Sequence, residues 1–94
     1  MIFIITITDP NENIIFKDLF LMDSELEVNT KFQFLEETEQ PDETLPEFHL
    51  EIKTIREKLI KASTSSITTI QNYKEKIYDL IIEKLKENQQ QNTH

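Results

Sequence analysis

The sequence predicts an α+β fold: a three-stranded antiparallel β-meander followed by two α-helices, in the order β-β-β-α-α. Three observations carry that expectation. The chain opens on MIFIITIT, an apolar and β-branched run followed by turn residues and a second apolar arm. Residues 26–34 alternate apolar and polar. From residue 45 onward the apolar residues recur at helical spacing.

The opening stretch reads as a strand. No Lys or Arg precedes the apolar run, acidic Asp9 follows at once, and no Ala-x-Ala-like cleavage site lies downstream, so the pattern of an export signal is missing. The run is also far shorter than the ~20 residues a membrane-spanning helix needs. Asp9-Pro10-Asn11-Glu12-Asn13 supplies turn chemistry, and Ile14–Leu21 returns as the second arm of a hairpin. An intracellular location follows as the expectation. In the first arm Phe3, Ile5 and Ile7 share one face and Ile2 and Ile4 the other, as expected of a central strand or a covered edge. Leu26, Val28, Thr30, Phe32 and Phe34 make one face of the expected third strand, with Glu27, Asn29, Lys31 and Gln33 on the other.

A single domain over residues 1–88 is expected, with the meander in 1–35 and an acidic loop in 36–44. Thr44-Leu45-Pro46-Glu47 reads as a capping box opening a first helix, 45–62. Leu45, Phe48, Ile52, Ile55, Leu59 and Ala62 follow a 3-4 spacing; a competing strand reading accounts only for Phe48, Leu50 and Ile52. Ser63-Thr64-Ser65-Ser66 favours a break or a new N-cap before a second helix, 66–87, ahead of a disordered polar tail, 88–94. Fusion of the two helices into one rod of roughly 60 Å, at ~1.5 Å per residue, is the alternative to a helix hairpin. The apolar residues of the second helix span about 200° of its circumference, against ~100° for a one-sided stripe. Such a helix needs cover on two sides.

Composition narrows the function. The 94 residues carry a net charge of −8, no cysteine and no glycine. Disulfide frameworks, thiolate metal sites and glycine-dependent phosphate loops are therefore excluded. Residues 1–51 carry −11 and residues 52–94 carry +3, which disfavours nucleic acid and anionic membranes as partners of the first half. Lys53, Arg56, Lys58 and Lys61 form a loose basic cluster without aromatic stacking partners. The two histidines, His49 and His94, have no second ligand or nucleophile at useful spacing, and the acidic run around Glu39 lacks the glycine of a calcium loop. Asp18, inside an otherwise apolar arm, marks an edge, a bulge or a lysine contact.

A non-enzymatic protein-binding or oligomerisation module is the expected function, with no cofactor or metal. Its partner is another protein or a second copy, as a homodimer or within a larger complex. Ile70, Tyr73, Ile77, Tyr78, Leu80, Ile81, Ile82 and Leu85 of the wide helix face are the expected contacts. The alternative is a small acidic inhibitor of phage or viral type that imitates nucleic acid and blocks a basic groove. It would act through Glu25, Glu27, Glu36, Glu37, Glu39, Asp42 and Glu43.

Overall fold

A computed structural model describes residues 1–36 and 46–91. Four strands form one antiparallel sheet: β1 (Ile2–Thr8), β2 (Ile14–Leu21), β3 (Phe48–Thr54) and β4 (Leu59–Ser65), in the spatial order β2-β1-β3-β4. A short helix, α1 (Glu25–Lys31), and a 3₁₀ turn, Gln33–Glu36, follow β2; a long helix, α2 (Ile67–Gln91), ends the described chain. The class is α+β, but the meander of three strands followed by two long helices is replaced by four strands, one short helix and one long one.

The first hairpin forms as its residues dictate. The Asp9 carboxylate accepts from the Asn11 and Asn13 amides, each at 2.9 Å, so the Asx turn closes without glycine. Glu12 takes the left-handed conformation there, with φ of 66°. Phe3, Ile5 and Ile7 of central β1 point into the core beside Phe20 of β2 and Leu50 and Ile52 of β3.

Residues 26–34 do not form a strand. Ser24 caps α1 by accepting from the Glu27 amide at 3.1 Å, while Glu27 accepts from the Asp23 amide at 3.1 Å. Val28, Phe32 and Leu35, spaced four and three apart, enter the core, whereas Leu26 stays exposed. Helical spacing, not alternation, decides which side chains are buried.

Of the helix expected over 45–62, residues 46–62 are not helical either. Phe48, Leu50 and Ile52 lie on the core face of β3, and the chain turns at residues 55–58 into β4. Glu57 adopts φ of 67° in that turn, and the Thr54 hydroxyl accepts from the Lys58 amide at 3.1 Å. Of the expected capping box, Thr44 and Leu45 lie outside the described residues, while Pro46 and Glu47 precede β3 in non-helical backbone. Neither a helix hairpin nor a single long rod is formed, because the first expected helix is a strand pair.

The second helix is present and continues beyond residue 87 to Gln91. It starts beyond Ser66, whose carbonyl accepts from the Ile70 amide at 3.0 Å, in the hydroxyl-rich break the sequence marked. Ile70, Tyr73 and Ile77 close the core against the sheet, and Phe16 of β2 meets Tyr78 edge-on, ring centres 5.6 Å apart. Burial of each such side chain contributes about 1.5–3 kcal/mol. Among the described residues, no helix is long and apolar enough to cross a membrane.

Ile77→Ala should cost about 2–5 kcal/mol of unfolding free energy, measured by urea denaturation, because it leaves a cavity in the core. Ile82→Ala, on the exposed side of the same helix, should cost less than about 1 kcal/mol.

Candidate functional site

All three helical segments and the inward residues of the strands share one side of the sheet. The cross-strand register places Ile2, Ile4, Thr6 and Thr8 of β1 on the opposite side. Lys17, Leu19 and Leu21 of β2, His49, Glu51 and Lys53 of β3, and Leu59, Ala62 and Thr64 of β4 lie there with them. None of these residues is buried. Part of this open face is polar and internally satisfied. His49, expected on a helix, hydrogen-bonds through Nε2 to Glu51 at 3.0 Å and through Nδ1 to Thr64 at 3.3 Å, and Lys53 pairs with Glu51 at 3.1 Å. The hydrogen bonds from His49 and then Lys53 hold the Glu51 carboxyl below its ordinary value near 4.5. The hydroxyl–imidazole–carboxylate trio lies on an open sheet surface, where the cluster works as a cross-strand ladder.

A second exposed surface lies where α2 runs along edge strand β2. Tyr78, Ile82 and Leu85 are 42, 48 and 48% exposed, and Ile14, Ile15, Leu19 and Leu21 of β2 are exposed as well, the last two with side chains on the far face of the sheet. Between the two elements runs a groove of about 160 Å³ lined by Leu19, Phe20, Leu21, Ile81, Lys84 and Leu85. The residues expected at a partner contact therefore divide. Ile70, Tyr73 and Ile77 are buried in the chain's own core, Leu80 and Ile81 pack partly against it, and Tyr78, Ile82 and Leu85 remain open. A four-stranded sheet is wide enough to absorb the first group. The exposed β2 residues escaped the sequence reading because a hairpin arm with two apolar faces looks like a covered strand.

At the centre of the β2 edge one outward-pointing backbone donor is already taken. Met1 and Met22 exchange both backbone bonds, at 2.8 and 3.1 Å, so the alternation of an antiparallel ladder leaves the Leu19 N–H pointing off the edge. Asp18 meets it there, accepting the Leu19 amide at 2.8 Å. Of the three readings for Asp18, the edge is the one realised: a charge on the core-facing side of an edge strand, shielding a free backbone donor.

The acidic residues of the inhibitor reading do not behave as one ridge where they are described. Glu25 pairs with Lys58 at 3.0 Å, Glu36 with Lys61, and Glu27 with Lys84 at 3.1 Å. Glu37, Glu39, Asp42 and Glu43 lie outside the described residues. Lys84 also reaches Asp23 at 2.8 Å and Glu87 at 3.5 Å, although its side chain is only 6% exposed. The hydrogen bond to Asp23, followed by that to Glu27, holds the Lys84 ammonium well above its ordinary value, and Lys84 in turn lowers Asp23. These pairs fasten α1 and the 3₁₀ turn to β4 and α2. Among the described residues, no group of three or more His, Cys, Asp or Glu could hold a metal ion.

Comparison with family models, curated proteins and solved structures finds no match to this chain.

Removal of the edge shield, Asp18→Ala, should leave the denaturation midpoint nearly unchanged and speed concentration-dependent aggregation seen by light scattering. An unaltered aggregation onset would contradict the shielding role. The depressed carboxyls set the acid response. Their contribution is fully present above the ordinary values near 4.5 for Glu51 and 3.8 for Asp23 and is lost as pH falls through the lowered ones. Stability measured by urea midpoint should therefore drop on acidification below those values, with a shallower drop in Glu51→Gln.

Proposed function

We propose that this chain is a non-enzymatic protein-binding module that docks through the flank formed by α2 and the edge strand β2. The single observation supporting the reading is the apolar groove between α2 and β2, lined by Leu19, Phe20, Leu21, Ile81 and Leu85, with Tyr78 and Ile82 exposed on the same helix. Large apolar side chains gathered around a groove favour association, because each brings contact area that water solvates poorly. Lys84 is the one charged lining residue, and its charge is already neutralised by the acids around it. Docking there rests on side-chain packing rather than an added strand, since Asp18 occupies the Leu19 amide.

Two substitutions of similarly exposed residues separate this flank from the open sheet face. In size-exclusion chromatography of an extract of cells producing the chain, the wild type should elute above its monomer mass. Ile82→Asp should shift it to the monomer position, and Leu59→Asp should leave it in place. Elution of the wild type as a monomer, or release by Leu59→Asp instead of Ile82→Asp, would overturn the reading.

A further inference from the structure

We infer that the partner on this flank is a second copy of the chain, its α2 antiparallel to the first about a two-fold axis near Ile82. This rests on the flank being the docking surface and adds its occupant and geometry. The exposed stripe Tyr78, Ile82, Leu85 has the 4-3 spacing of a coiled-coil seam and is centred between Ile81 and Ile82. At about 100° per residue, Glu75, Asp79 and Lys86 fall within about 60° of Ile82, on the margin of the stripe away from β2. All three are exposed, and among the described residues none is held in an ion pair.

Their signs are ordered along the helix. Glu75 and Asp79 precede Ile82, and Lys86 follows it. The midpoint of Asp79 and Lys86 falls between Ile82 and Glu83, one residue from the centre of the apolar stripe. An antiparallel copy therefore sets each Asp79 level with the partner's Lys86, twice by symmetry, in the register that also overlays the two apolar stripes. In the same register Tyr78 of each copy lies level with Glu87 of the other, two residues or about 3 Å along the axis past Leu85, which lines the groove with Ile81. A parallel pair would instead set the charged margin of each helix against the β2-side margin of the other, so that no Asp79–Lys86 pair forms. Charge order thus selects the antiparallel self-pair, and an isologous contact of this kind closes at two subunits.

Charge reversal tests both the occupant and its direction, with mass read by sedimentation equilibrium on the purified chain. The wild type should be a dimer. Asp79→Lys and Lys86→Asp, each alone, should weaken it roughly tenfold, because each places two like-charged pairs across the axis. The double variant carrying both substitutions should regain the wild-type dimer. Unchanged far-ultraviolet circular dichroism spectra for all variants would show that the fold is intact. A monomeric wild type overturns the second copy as occupant. A dimer that Ile82→Asp dissociates but that ignores both charge reversals overturns the antiparallel arrangement and leaves the flank standing. A dimer that ignores Ile82→Asp removes the flank reading as well.

Discussion

The contact on which the rest of the structure depends is the packing of Ile70, Tyr73 and Ile77 of α2 onto the inner face of the sheet. That face presents Phe3, Ile5, Ile7, Leu50 and Ile52, all fully removed from solvent. A sheet four strands wide has two faces and two edges, while the described residues supply one long helix and one short one to cover them. Among these residues one face is closed, the other is left open, and α2 packs along β2. Because the helix carries an apolar arc of about 200°, burying one side of it leaves the other beside the sheet edge. The exposed flank is a consequence of the core.

Charge distribution follows the same geometry. The first half of the sequence is acidic and the second basic, and folding lays one against the other. Lys58, Lys61 and Lys84 from β4, its preceding turn and α2 meet Glu25, Glu36 and Glu27 from α1 and the 3₁₀ turn. Surface pairs of this kind contribute little individually, about 0–1 kcal/mol. Their value here is positional, since α1 spans only seven residues and is too short to hold its orientation by propensity alone. Lys84 is the firmest of them, nearly buried and shared by three carboxylates.

The parts of the fold that were legible in the sequence are those where one periodicity had no rival. The first hairpin combines β-branched arms with an Asx turn at Asp9, and α2 sustains a helical pattern over many turns. The misread parts are those where two periodicities share residues. Val28 and Phe32 are four apart, which fits both alternation and a helix; the Ser24-x-x-Glu27 box was the deciding signal. Phe48, Ile52, Ile55 and Leu59 fit a helix stripe equally well, and with no glycine in the chain the turn at 55–58 carried no punctuation. It closes through Glu57 in a left-handed conformation that composition does not announce. The division of the expected contact residues into buried and open followed from the same error, because the width of the sheet sets how much of α2 is absorbed.

The side of α2 not consumed by the core, together with β2, is the surface proposed to associate. Amide spectra of the ¹⁵N-labelled chain across a dilution series test it most directly. Concentration-dependent shifts should be confined to residues 16–21 of β2 and to the part of α2 between residues 75 and 89. Shifts centred instead on His49, Glu51, Ala62 and Thr64 of the open face, or spectra identical at every concentration, would contradict it.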